Sequence, residues 1–283
     1  PDPNSKFLFS RFKLWVHYRL IKKKSKFNIW LNKHFGEDPV LYDEKSIVNI
    51  TRKMGLYLNN IGFINSSIEH KTEFGNKVAN VKFIIKPAEP YRIKEINYDI
   101  RDSLLSSFFY QNIENTLIKK NDIYNAYTFD DERDRITDDL RNTGYYYFNR
   151  NYIQYVVDSN FMKHQMKVNL VINDVKKQDK DTPGEFTEEN HRRYFINNVT
   201  VIPEFNPLNK SKFDTTFHTI NFWNDTNNYT YYFLNNSKKH LLPSAFNSAL
   251  KIKPGQVYSA KKVQTTYRKL FNFLIIQTAH ISF

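Results

Sequence analysis

Apolar residues recur at helical spacing in three well-separated stretches of this 283-residue chain. Ile47, Ile50, Met54, Leu58 and Ile61 share one face; so do Phe129, Ile136 and Leu140, and later Val263, Tyr267, Leu270 and Leu274. An apolar period of three to four residues predicts an amphipathic helix in each place. After each helix the period drops to two. Val81, Phe83 and Ile85 alternate with Lys82 and Lys86, and Val168, Leu170 and Ile172 line one face of a later run. This alternation predicts strands over 66–74 and 78–86 behind the first helix, joined at Gly75-Asn76, and over 152–159 and 166–173 behind the second. Behind the third helix a single strand fits, over 275–283. A strand over 91–100 and a helical stretch over 104–117, with Leu105, Phe109, Ile113 and Leu117 on one face, precede the second helix.

The three long helices are introduced alike. Val40-Leu41-Tyr42-Asp43, Asp122-Ile123-Tyr124-Asn125 and Gln256-Val257-Tyr258-Ser259 each place a tyrosine ahead of a residue suited to cap a helix. The cap accepts from first-turn N–H groups that have no partner inside the helix, and an apolar group before it fixes how the chain enters. Two copies extend backwards, Ile118-Lys119-Lys120-Asn121 matching Ile252-Lys253-Pro254-Gly255. Gly62-Phe63 and Gly144-Tyr145 stand where the first two helices should end, and glycine suits the left-handed residue that closes a helix. The third copy has Phe271-Asn272 there, and asparagine is the next best residue for that conformation.

Order and period together predict a string of small α+β units rather than one large domain. Residues 1–89 form a basic helical arm plus a first unit with no visible first strand. Residues 90–175 form a complete strand–helix–helix–strand–strand unit, and 190–283 a third. The segment 206–242 reads as a hairpin inserted into that third unit, which is truncated at its last strand; 176–190 reads as a polar linker around Pro183-Gly184.

Composition removes several function classes. The chain has no cysteine, which excludes disulfides, thiolate metal sites and a cysteine nucleophile. Its seven glycines, at 36, 55, 62, 75, 144, 184 and 255, leave no glycine-rich phosphate loop and no nucleophile elbow. Eight histidines, at 17, 34, 70, 164, 191, 218, 240 and 280, show no close ligand spacing. Asp130, Asp131 and Glu132 fall in the first turn of the second long helix, where complementing the helix dipole accounts for them. No catalytic residue, metal site or cofactor is expected, and no apolar run reaches the about 20 residues of a spanning helix.

Charge adds one feature. Of the net +13, residues 1–34 carry +8, with nine basic residues against Asp2 alone. Two short helical stripes run through this arm, Leu8-Phe12-Trp15-Arg19 and Phe27-Trp30-Leu31-Phe35, with Lys22-Lys23-Lys24 as a polar joint. Three readings stand open. The stripes pack on the following domain while the lysines stay solvated; or Trp15, Lys22, Lys23, Lys24 and Trp30 touch an anionic membrane surface or a partner; or the arm binds nucleic-acid phosphates.

The repeated order, the run Ile252-Lys253-Pro254-Gly255-Gln256-Val257-Tyr258-Ser259, the glycine–aromatic pairs and Pro90-Tyr91-Arg92-Ile93 at the opening of a unit resemble POTRA domains. These are the periplasmic modules of the BamA/TamA family of outer-membrane assembly proteins. The arm with Gly36-Glu37-Asp38-Pro39-Val40-Leu41-Tyr42-Asp43 is similar to the TamL lipoprotein branch. The missing third glycine, the 206–242 hairpin and the lack of a first strand depart from the pattern. The resemblance implies an extended array of tandem POTRA-like α+β units at the periplasmic face of the Gram-negative outer membrane. It implies a role in protein transport without catalysis, and contact with the membrane's inner leaflet through a barrel that this chain lacks. The implied partners are unfolded outer-membrane proteins and periplasmic assembly partners, with no nucleic acid and no cofactor. Clients would add as an extra strand to the sheet edge after each glycine–aromatic pair. The implied contacts are Ile68 and His70; Ile153, Tyr155 and Val157; Thr278 and His280. A basic nucleic-acid-binding or other surface-interaction protein is the alternative.

Overall fold

The computed structural model describes residues 12–22, 25–75, 78–178, 184–203, 214–221, 228–235, 242–273, 276 and 278–283. The chain divides into two compact units, residues 1–59 with 63–88, and residues 60–62 with 89–283. The segments 90–175 and 190–283 both lie in the second.

The first unit contains helices α1 (Phe12–Leu20), α2 (Lys26–Phe35) and α3 (Glu44–Asn60), then strands β1 (Ser67–Gly75) and β2 (Val78–Lys86). Asp43 caps α3: its carboxylate accepts from the N–H groups of Lys45 and Ser46 at 3.1 and 3.2 Å and from the Ser46 hydroxyl at 2.6 Å. Those donors, the hydroxyl first, hold the carboxyl below its usual range. β1 and β2 pair antiparallel without a break from Ser67↔Lys86 to Gly75↔Val78. Among the described residues this sheet has two strands and no first strand joins it. The face read from Ile47 to Ile61 buries Ile47 alone, and Ile50 is 42% exposed. α1 and α2 are closed into a pair by the segment after α2, where Glu37 N–H donates to the Lys13 carbonyl at 3.2 Å and Asp38 meets His17 Nδ1 at 2.8 Å.

The second unit opens with β3 (Arg92–Ile100), α4 (Ser103–Gln111), a 3-10 turn (Ile113–Asn115), α5 (Ala126–Asn142), β4 (Ile153–Met162) and β5 (Gln165–Ile172). This is the strand–helix–helix–strand–strand order read from the sequence. The sheet order is β3–β5–β4, with β5 parallel to β3 and antiparallel to β4. α4 starts where Asp102, itself buried, accepts from Leu104 and Leu105 N–H. Every second residue of β5, from Met166 to Ile172, is at most 3% exposed, against Leu105, Phe109, Ile136 and Leu140 of the two helices.

Beyond β5 the structure corrects three expectations. The polar linker at 176–190 contains a short antiparallel pair, β6 (Val175–Gln178) with β7 (Phe186–Glu189). Opposite charges across the ladder support it, Lys176 facing Glu188 and Lys177 Nζ lying 3.1 Å from Glu189, so no apolar alternation announces it. Next, β8 (Thr200–Val201), β9 (Asp214–Asn221) and β10 (Asn228–Asn235) form a sheet of order β8–β10–β9, with β10 parallel to β8 and antiparallel to β9. Order and polarity repeat those of β3–β5–β4. The hairpin read as an insertion therefore supplies the third sheet: Tyr231 and Phe233 are fully buried and pack with Phe246, Leu250 and Leu270. Finally, α6 (Ala260–Phe271) follows this sheet, and Ile276 and Thr278–Phe283 after it form no strand.

Two backbone junctions repeat inside the second unit. Tyr91 N–H donates to the Gly62 carbonyl at 2.9 Å, and Tyr124 N–H to the Tyr91 carbonyl at 2.9 Å. Tyr194 N–H donates to the Gly144 carbonyl at 2.8 Å, and Tyr258 N–H to the Tyr194 carbonyl at 3.0 Å. Isolated bridges Arg92↔Ile123 and Phe195↔Val257 sit beside them. Gly62 (φ 90°) and Gly144 (φ 111°) both take the left-handed conformation, and the next N–H closes the helix, Phe63 onto Leu58 and Tyr145 onto Leu140. Asn121 (φ 74°) and Gly255 (φ 77°) match in the same way. Asn272, expected to be left-handed, is right-handed with φ −73°: Phe273 N–H reaches the Leu270 carbonyl in a 3-10 turn, so no left-handed residue is needed.

Candidate functional site

β4 ends the second unit's first sheet, and among the described residues nothing pairs with its far side. In an antiparallel pair, successive residues alternate between bonding to the neighbour and turning their N–H and C=O away from it. Asn173 N–H donates to the Tyr152 carbonyl at 2.9 Å, which fixes the phase: Tyr155 and Val157 turn their N–H and C=O to the open side, and Ile153 turns its carbonyl there while its N–H donates to the Arg150 carbonyl. The regular register runs from Ile153↔Ile172 to Asp158↔Lys167 and then breaks before Met162↔Gln165. The usable edge is thus short and bounded.

The side chains of Ile153, Tyr155 and Val157 leave the plane of the sheet on the face covered by α5. Ile153 is 2% exposed. The Tyr155 ring packs on Phe129 with centroids 4.7 Å apart, and the Arg133 guanidinium lies 5.0 Å from its centre. Burial, with Glu132 adding to it, pushes the Tyr155 phenol well above its ordinary range. Its hydroxyl is buried with no partner among the described residues. Gln154, Val156 and Asp158 face solvent, Val156 at 56%. What this strand offers an incoming one is therefore main chain, at Tyr155 and Val157.

Two residues of α5 that sequence reasoning assigned otherwise or passed over lie beside this edge, and one of them, Arg133, reaches the β4 main chain. Glu132 complements no dipole; it is fully buried. Its carboxylate accepts from the Thr116 hydroxyl at 2.9 Å, Leu117 N–H at 3.0 Å, and Arg135 Nε and Nη2 at 2.8 and 2.7 Å. The bond to Glu132 also raises the pKa of Arg135, which reaches on to Asp139 at 2.7 Å. The spacing Phe129, Glu132, Ile136, Leu140 places Glu132 on the apolar face, a signal present in the sequence. Arg133 Nε donates to the Ile153 carbonyl at 3.2 Å, capping the first outward acceptor of the edge, while its Nη1 is held by Asp130 at 2.6 Å.

The other site residues separate from this constellation. Ile68 and His70 are half-buried on β1, an end strand of the first unit's sheet, with His70 Nδ1 3.3 Å from the Thr51 hydroxyl of α3. Thr278 and His280 are exposed and belong to no strand, so the third expected edge is not formed there; the end strands of that sheet are β8 and β9. Trp15, Lys22 and Trp30 are exposed on the arm, and Lys23 and Lys24 lie outside the described residues. No helix among the described residues is long and apolar enough to cross a membrane.

No protein-family model matches the chain, and no curated protein does. Solved structures similar to it include POTRA domains 3–5 of BamA from Haemophilus influenzae, at 12% identity and TM-score 0.42 over 91% of this chain and 83% of that one. BamA from Haemophilus ducreyi lacking POTRA domains 1–3 is similar at 12% identity and TM-score 0.30, over 55% of this chain and 28% of that one. POTRA domains 1–3 of the periplasmic domain of Omp85 from Anabaena match at 12% identity and TM-score 0.25, over 99% and 85%. All three TM-scores lie below 0.5, and the α+β architecture of this chain rests on its own ladders, caps and repeated junctions.

Proposed function

We propose that this chain is the periplasmic part of an outer-membrane protein assembly factor of the POTRA-bearing kind, close to the TamL branch. In this reading it is a non-catalytic binding module that receives extended strands of unfolded barrel proteins along the free edge of β4. The observation that carries the reading is the alignment of two outward N–H and C=O pairs, at Tyr155 and Val157, on a strand with no outer neighbour among the described residues; at Ile153 the N–H is taken by the Arg150 carbonyl and the carbonyl by Arg133. Main-chain pairing of this kind tolerates varied client sequences, because the groups that bond are common to all of them. Arg133 on the Ile153 carbonyl sets where an added strand begins, and the register break after Asp158 sets where it ends.

Proline at Val157 removes an outward donor while leaving the bonds to β5 intact, since Val157 does not bond inward. Alanine at the same place removes the side chain and keeps the donor. Capture of an alternating barrel-strand peptide, followed by amide chemical shifts of the full chain, should weaken at least about tenfold in Val157→Pro, the worth of one or two lost main-chain bonds, and stay near wild type in Val157→Ala. Equal capture by two folded variants would rule the edge out.

A further inference from the structure

The arm's two helices hide almost nothing. α1 buries Val16 and His17, and α2 buries no residue. Phe12, Trp15, Phe27 and Trp30 are 48 to 66% exposed and form surface rows one turn apart: Phe12 stacks with Trp15 at 6.1 Å, and Phe27 with Trp30 at 6.3 Å. Ile21 and Ile29 are exposed at 55 and 57%. From residue 3 to residue 36 there is no Asp or Glu, and residues 12–35 hold seven Lys and Arg. Soluble surfaces rarely leave so many large apolar groups uncovered within one short segment, and a rim of single-sign charge names the chemistry of what covers them.

Aromatic rows among cations suit two polyanions, nucleic acid through base stacking and an anionic bilayer through its interface. The aliphatic groups decide between them. Ile21 and Ile29 offer no stacking face to a base, whereas they fit the boundary of headgroups and acyl chains, where tryptophan also settles. We propose that the α1–α2 arm is a monotopic anchor lying on an anionic phospholipid surface, with Trp15 and Trp30 at headgroup level and the basic residues against lipid phosphates. Arg19, whose guanidinium sits 5.6 Å from the centre of the Trp15 ring, pairs one cation with one anchor ring. Lipid binding by the arm does not depend on strand capture at β4.

The chain has three tryptophans, so in a Trp223→Phe background Trp15 and Trp30 report alone. The full chain should co-sediment with vesicles of equimolar phosphatidylcholine and phosphatidylglycerol and not with phosphatidylcholine alone. Arm fluorescence should shift to the blue and be quenched by brominated acyl chains. Lys22→Gln, Lys26→Gln and Lys33→Gln together should lower affinity about a hundredfold, about fivefold for each cation removed. Trp15→Ala with Trp30→Ala should lower it at least about tenfold while leaving its salt dependence in place. These side chains are exposed, so the unfolding midpoint should not move and serves as the folding control. Equal binding to both vesicle types, unquenched tryptophans, or vesicle binding that survives both sets of substitutions would overturn the proposal. So would tight binding of single-stranded or duplex nucleic acid that anionic vesicles fail to displace.

Discussion

At the scale of single residues, Gly62 and Gly144 meet two demands at once. Each has a positive φ, and each lies so close to the next tyrosine motif that a Cβ has no room. A Cβ at Gly144 would stand 2.6 Å from Val257 Cγ1; at Gly62 it would stand 2.6 Å from the Tyr124 carbonyl oxygen and 2.9 Å from Ile123 Cγ2. Forcing a non-glycine residue into this conformation costs about 1–3 kcal/mol before any contact is counted. Gly144→Ala should therefore lower unfolding stability by at least that amount, and adding Val257→Ala should recover the contact part but not the backbone part. Gly62→Ala should resist the matching rescue by Ile123→Ala, because the obstructing atom is main chain. Urea unfolding of the four variants checks this; full rescue of Gly62→Ala would show that the Tyr124 carbonyl oxygen is free to move aside.

At the scale of elements, the ties between segments are polar and local. Glu132 binds the loop at Thr116 and Leu117 to α5, and it holds Arg135, only 18% exposed, from below. Removing one member of a buried charged set costs about 3–5 kcal/mol, since the partners stay buried and unpaired. Glu132→Ala should cost close to the lower figure, because Arg135 keeps Asp139 at 2.7 Å; a loss under about 1 kcal/mol in thermal unfolding would show that water replaces the carboxylate. The second unit's first three strands and two helices were legible because their apolar residues keep a clean period, as in β5, where Met166, Val168, Leu170 and Ile172 all turn inward. Glu132 was missed because its charge was weighed ahead of its place on the apolar face. The β6–β7 pair was illegible for the opposite reason: Val-Lys-Lys-Gln against Phe-Thr-Glu-Glu has a ladder of charges and no apolar side. The β4 edge could be named from the repeat, but its phase could not. Period two gives the face of a side chain, while the direction of its N–H depends on which residue bonds to the neighbour, and only the Asn173–Tyr152 bond settles that.

At the scale of the whole molecule, the two compact units are unequally filled. In the second, β5 turns four side chains into the core at 3% exposure or less, with Leu105, Phe109, Ile136 and Leu140 above them. In the first, the equivalent face of β2 is half-open: Val81 and Phe83 are partly buried, Ile85 is 48% exposed, and the buried apolar residues among those described are Val16 and Ile47 alone. A fully buried aliphatic or aromatic side chain contributes about 1.5–3 kcal/mol over an exposed one, so a deficit of several such residues lowers the free energy of local opening by several kcal/mol. Amide hydrogen exchange on the full chain should therefore find the β1–β2 hairpin exchanging at least about a hundredfold faster than β5, a ratio that corresponds to under 3 kcal/mol. Denaturant should remove the first unit's signal before the second's, giving two transitions where a single compact domain of similar size would give one. The third sheet supplies the internal control. β10 buries Tyr231 and Phe233 completely, so its amides should be protected like those of β5 even though its strands precede their helix. Equal protection of β2 and β5 would mean that uncovered apolar area in the first unit does not set its stability. A β10 as labile as β2 would mean that sheet order and core filling fail together as guides to which parts of this chain hold firm.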